Sequence, residues 1–175
     1  LATETGIAVR LFANSQTFAN SVVVMGTTEI SGPAAMQIML PSANNQTRKA
    51  SVTIQDSAVI RSTTQDGFAL YTYSAGNSLS DVAVNISGGQ FYGWVGYSAA
   101  PVTVTETVNV TGGIFADCTV HSYADPATVQ TNNYSVTGGN FASKPSAICV
   151  PDGYVIAANK NGSYSVVSEL SYIQD

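Results

Sequence analysis

Carboxylates are the side chains with which this chain could do hydrolytic or eliminative chemistry, and their spacing decides whether it can. Eleven acidic and six basic residues stand beside a single histidine in 175 residues. Cleaving a glycosidic bond by hydrolysis takes two carboxyl groups roughly 5 to 9.5 Å apart. Lyase chemistry takes a Ca²⁺ cage of acidic oxygens with an Arg or Lys base. Asp66 and Asp117 are the best-matched pair, but they fall two repeats apart, roughly 10 Å in a stack of strands. Asp56 has no stacked partner, and Asp81, Glu106 and Asp125 read as residues of linking segments. His121 cannot form a multi-histidine metal site by itself, and no Ser-His-Asp arrangement stands out. Cys118 and Cys149, separated by close to one repeat length, make neither a disulfide framework nor a four-ligand metal site. They are expected as separate buried thiols or as one bridge between adjacent turns. No catalytic residue, metal or cofactor is assigned.

The residues better suited to binding are aromatic. Five short runs alternate apolar and other residues: Ile7 to Phe12, Met36 to Pro41, Phe68 to Tyr73, Gly93 to Ser98 and Cys118 to Tyr123. Such alternation is that of a half-buried strand. With Val9, Ile38, Leu70, Val95 and Val120 as one inward column and Ile7, Met36, Phe68 and Cys118 as another, the opposite face carries Arg10, Met39, Tyr71 and His121. Phe12, Tyr73 and Tyr123 follow in the next outward column, and Trp94 precedes. Phe12, Met39, Tyr71, Tyr73, Trp94, His121 and Tyr123 therefore form a candidate ligand-binding face, rich in flat rings and poor in charge. Rings stack on the C–H faces of sugars while Asn, Ser and Thr bond the hydroxyls. The same residues are also good strand formers that ladder without any ligand, or that another domain of a parent protein covers.

What must position them is a repeat. The motif reads Val84-Asn85-Ile86-Ser87-Gly88-Gly89-Gln90-Phe91, then Val108 to Phe115, then Tyr134 to Phe141, with Phe91, Phe115 and Phe141 at a near-constant period. A degraded copy at Val52 to Val59 puts Asp56-Ser57 in place of the glycines, and Val22 to Thr27 lies one unit earlier. The anchors are Val24, Ile54, Ile86, Val110 and Val136, the first two intervals being longer than the last two. Self-similarity at a period within roughly 20 to 50 residues means stacked units, each too small to bury its own inner face. The glycines supply positive φ where the chain leaves one sheet for the next, and the Phe returns inward to stack on its copies. No Lys or helix start follows them, so they are not a phosphate cradle. Turn-rich links such as Ser42 to Asn45 and Ala75 to Ser78 separate units, with a third strand in places such as Val102 to Val104. No amphipathic helical window appears. The pattern predicts an all-β parallel β-helix of about five coils over residues 1–150. Beyond Pro145 the period breaks; Asn161-Gly162 predicts a two-residue hairpin between Tyr154–Ala157 and Ser163–Val167. Residues 151–175 are expected to be a C-terminal cap on the last open strands.

Composition agrees with strands and turns. Hydrophobic residues are 45% and charged residues 10%, far below the usual quarter. A net charge of −5 and scattered basic residues argue against nucleic acid. No run approaches the ~18 apolar residues of a membrane span. The chain starts at Leu1 and is expected to be a piece of a longer, secreted protein.

From Gly138-Gly139-Asn140-Phe141 through Lys144-Pro145-Ser146, Pro151-Asp152-Gly153-Tyr154 and Gly162-Ser163-Tyr164-Ser165-Val166, the chain resembles a repeat region of large secreted surface proteins of gut Gram-positive bacteria. Those repeats resemble pectate-lyase-like right-handed β-helices. The resemblance covers roughly residues 84–167. It implies a right-handed coil, a cell-surface or extracellular location and a non-catalytic, adhesive or stalk role, with a glycan or host surface protein and other domains of the parent chain as partners. It carries over no catalytic residue. The alternative is a polysaccharide lyase or glycoside hydrolase on the same scaffold.

Overall fold

The computed structural model describes residues 6–13, 20–40, 47–74, 80–97, 104–116, 120–121 and 132–173. The described residues are all-β apart from a 3-10 turn at Ala147–Cys149 and one short helix, α1 (Glu169–Ile173). Three sheets share the strands, and up to Phe141 the chain visits them in strict rotation.

The first sheet holds β1 (Ile7–Phe12), β4 (Ala34–Leu40), β7 (Phe68–Ser74), β10 (Trp94–Tyr97) and β13 (Val120–His121), all parallel. The second holds β2 (Asn20–Val24), β5 (Arg48–Ile54), β8 (Ser80–Ile86), β11 (Val104–Val110) and β14 (Asn132–Val136), also parallel. In the third, β3 (Glu29–Gly32), β6 (Val59–Ser62), β9 (Gln90–Tyr92), β12 (Ile114–Phe115) and β15 (Asn140–Phe141) run parallel. This third sheet follows the repeat corner directly, rather than arising in the linking segments: Val104 opens β11, and residues 102–103 lie outside the described residues. Strands of two to four residues are too short to show alternation, which is why the sequence pattern merges them with the corner.

The anchors pair as the repeat predicts: Val24 with Ile54, Ile54 with Ile86, Ile86 with Val110, and Val110 with Val136. Their neighbours Thr53, Asn85, Asn109 and Ser135 form the adjacent column on the other face. There the Asn109 side-chain amide donates to Asn85 Oδ1 at 3.0 Å. Alternation thus buries Val52, Val84 and Val108 while leaving the amide ladder outside.

Phe91, Phe115 and Phe141 are fully buried. Their rings lie nearly parallel, with centroids 4.8 and 4.6 Å apart. That is the spacing of hydrogen-bonded strands, so the backbone register itself sets the stack. Ile60, not Val59, occupies the column upstream, pairing with Phe91 and Ile30. The reason is one additional residue: Ile54 to Ile60 spans six steps where Ile86 to Phe91 spans five.

The two corners turn differently. In the longer one the left-handed residue is the second after the anchor, Gly26 at φ 66° and Asp56 at φ 59°. The Asp56 carboxylate accepts from the Gly26 backbone N–H at 3.0 Å, which gives that acid a structural task. In the shorter corner it is the second glycine, at φ 88° to 105° in Gly89, Gly113 and Gly139. The first glycine is needed for another reason. A Cβ on Gly112 would sit 2.5 Å from the Ser87 carbonyl oxygen, and one on Gly138 2.2 Å from that of Thr111. Each corner lies directly on the one before it.

At the C-terminal end β17 (Tyr164–Ser168) pairs antiparallel with β15 and with β16 (Tyr154–Ala158). The connection is longer than a two-residue turn. Asn159 N donates to the Ser163 carbonyl, Gly162 N donates to that of Asn159, and Gly162 has φ 83°. This is a three-residue loop with a left-handed glycine, which the Asn-Gly pair serves equally well. Cys149 is buried within the 3-10 turn; Cys118 lies outside the described residues.

Candidate functional site

The outer face of the first sheet carries the aromatic residues, in a register shifted from the sequence reading. Val9 pairs with Met36, Leu70 and Val95 in one inward column, and Leu11 with Ile38 and Thr72 in the next. Ile38 is buried as expected but sits one column over. The outer columns follow. Arg10, Gln37, Tyr71 and Gly96 share one; Phe12, Met39 and Tyr73 share the other. Met39 therefore stands between Phe12 and Tyr73, not between Arg10 and Tyr71. Spacing alone does not show this, because the links on either side of β4 differ in length.

Phe12 is 46% exposed, and the Arg10 guanidinium lies 5.9 Å from its ring centre. Tyr71 is half-buried and its hydroxyl accepts from Gln37 Nε2 at 2.6 Å. Gln37 is 5% exposed, so this part of the face is closed by Tyr71 instead of open to solvent. Burial pushes the Tyr71 phenol above its ordinary value, against the opposing pull of Arg10 and the Gln37 hydrogen bond. The backbone of His121 continues the column beside Gly96, and Tyr123 lies outside the described residues.

Phe68 does not join the core. Pairing slips between Trp94 and Val95, so that Trp94 faces Phe68 while Val95 faces Leu70. The slip leaves Ala69 and Leu70 buried and puts the Phe68 ring 4.7 Å from that of Tyr71. An irregularity of this kind re-aims a side chain. Here it adds Phe68 to the outer aromatic set, whereas strict alternation from Leu70 places it inward.

Where the third sheet meets the first, a cleft of about 260 Å³ is lined by Arg61, Thr64, Gln65, Asp66, Tyr92 and Trp94, among others. Arg61 and Tyr92 are register partners, and the guanidinium carbon lies 3.6 Å from the ring centre. Arg61 Nε is also 3.9 Å from Glu29 Oε1. The cleft's floor is a tight loop in which Gly67 N donates to the Thr64 carbonyl and Trp94 N to that of Gly67. Ser62 and Thr64 both donate their hydroxyls to the Pro33 carbonyl, at 2.8 and 3.0 Å. Nothing in the sequence marks Arg61, Gln65 and Tyr92, which come from two repeats and meet only through the register.

The other acids are dispersed. Asp81 and Glu106 lie within β8 and β11, not in linking segments, because those strands begin at Ser80 and Val104, ahead of both acids. Asp117 and Asp125 lie outside the described residues. Among the described residues no group of three His, Cys, Asp or Glu side chains could hold a metal ion, and no helix is long and apolar enough to cross a membrane. No protein-family model, curated protein or solved structure matches the chain.

Proposed function

We propose that the chain is a right-handed parallel β-helix module of a secreted or cell-surface bacterial protein, acting as a glycan-binding or stalk segment without catalysis of its own. Rotation through three sheets supports the coil reading: each three-strand unit stacks in register on the next. The resemblance of residues 84–167 supports the surface location and the handedness.

The observation that carries the binding role is the lateral column Phe12, Met39 and Tyr73 on three adjacent strands, with Phe68, Tyr71 and Trp94 beside it. Strand spacing of about 4.8 Å makes this a flat strip of hydrophobic and aromatic groups, suited to the C–H faces of successive pyranose rings. Screening the chain and its Phe12→Ala/Tyr73→Ala double variant on a glycan array tests it. These two positions lie away from the Gln37 contact, so the double variant is expected to fold. Loss of array binding by the folded variant is expected; unchanged binding discards the platform.

A further inference from the structure

We propose that the cleft between Arg61, Asp66, Tyr92 and Trp94 is a subsite for one neutral pyranose residue, terminal or branching, of the glycan that the outer face receives. The inference rests on the glycan-binding reading and adds to it a place where specificity is decided.

Three irregularities of the backbone and one close approach converge on this one cleft. Asp66 is one of two described non-glycine residues with positive φ, at 56°. The other, Asp56, is explained by its bond to Gly26, whereas Asp66 lines the cleft. Asp66 is the third residue of the Thr64–Gly67 turn, a position where Asp adopts positive φ readily, and that turn carries it to the cleft. Gly93 has φ 114°, and a Cβ there would lie 2.6 Å from the Gly67 carbonyl oxygen. A Cβ on Gly67 would meet the hydroxyls of Ser62 and Thr64 at 2.1 and 2.3 Å. The pairing slip at Trp94 completes the set.

The lining selects the ligand. Its volume of about 260 Å³ falls just under the ~300 to 1,000 Å³ of drug-sized pockets, enough for one ring and too little for a disaccharide. Tyr92 and Trp94 supply aromatic walls, and the Tyr92 ring is backed by the Arg61 cation. Asp66 and the Gln65 carbonyl offer acceptors; Arg61 and the Gln65 amide offer donors. A cation and a carboxylate facing one small space suit vicinal hydroxyls, each of which donates and accepts. They do not suit a carboxylated sugar, whose charge Asp66 would repel.

Trp94 is the only tryptophan of the chain and lines this cleft, so its emission reports on the cleft, and the cleft substitutions separate that signal from the neighbouring platform. Titrating the protein with the methyl glycosides of glucose, galactose, mannose and N-acetylglucosamine should give a saturable change with at least one of them. A Kd in the millimolar range is expected for about a dozen heavy atoms. Asp66→Asn keeps a residue that tolerates positive φ and should weaken binding about tenfold or more; Arg61→Met should do the same. The Phe12→Ala/Tyr73→Ala variant should leave the titration unchanged. No saturable response to any of the four glycosides overturns the proposal, as does a response only to glucuronic or sialic acid, or one that survives both cleft substitutions. Array binding that needs Phe12 and Tyr73 without any Trp94 response would sink the subsite and leave the platform standing. The reverse pattern would sink the platform alone.

Discussion

Gln37 and Tyr71 show how a single hydrogen bond can hold a sheet face closed. Gln37 is a buried amide on the outer side of β4, and the Tyr71 hydroxyl one strand away receives its proton. Tyr71→Phe removes the acceptor but not the ring, so the expected loss is that of an orphaned buried donor, about 1–3 kcal/mol, measurable by urea unfolding. The same residue gives a pH dependence. Its pKa is raised in the folded chain by burial, so the native state holds the proton more tightly than the unfolded chain does. That stability is complete below the ordinary tyrosine value of about 10 and is lost as pH rises through the folded value. Wild type should therefore lose more stability between pH 9 and pH 11 than Tyr71→Phe does, the other tyrosines being common to both. Gly112 supplies a residue-scale test of the corners. Gly→Ala at an unhindered site of ordinary φ stabilises by about 0.4–1 kcal/mol. Here the new methyl meets the Ser87 carbonyl at 2.5 Å, and a loss of about 1–3 kcal/mol is expected instead.

At the scale of strands, the phenylalanine column holds the third sheet together. β12 and β15 have two residues each, and one of each pair is the stacked Phe. Phe115 has a ring on both sides, and each such pair adds about 0.5–1.5 kcal/mol beyond area burial. Phe115→Ala should therefore cost about 3–5 kcal/mol, read as a shift in the urea midpoint. This column, the anchor column and the Asn85–Asn109 ladder are legible in the sequence, because Gly-Gly-x-Phe recurs at nearly constant spacing. Where the links vary in length the legibility fails. Alignment of the repeats puts Val59 rather than Ile60 in the Phe column and Met39 one column early, since a pairing register depends on how many residues the preceding corner absorbs. The cleft is invisible for a related reason: Arg61 and Tyr92 belong to successive repeats and are neighbours only across β6 and β9. Trp94 alone of its lining stands out by residue type. The pairing slip that sets its surroundings leaves no mark in alternation.

For the molecule as a whole, parallel stacking solves the packing of each unit and transfers the difficulty to the ends. A row of unpaired N–H and C=O groups invites another chain, and on β15 that row is taken up by β17. Removing residues 152–175 should bare this edge and the last phenylalanine together. Concentration-dependent self-association, followed by sedimentation velocity, is expected beyond any shown by the full chain. The short corners have a further consequence. Ser87 to Val110 runs from one anchor to the next with a glycine pair that fits beneath another copy of itself, and the two phenylalanine contacts on either side are geometrically equivalent. A second copy of this segment spliced in after Val110 would meet compatible surfaces above and below, lengthening every sheet by one strand, or about 4.8 Å. The six-step corner at Ile54 stacks on its own kind at Val24 on one side and on the five-step corner at Ser87 on the other. Tandem duplication of one unit can therefore elongate this architecture without introducing a junction of a kind it does not already contain.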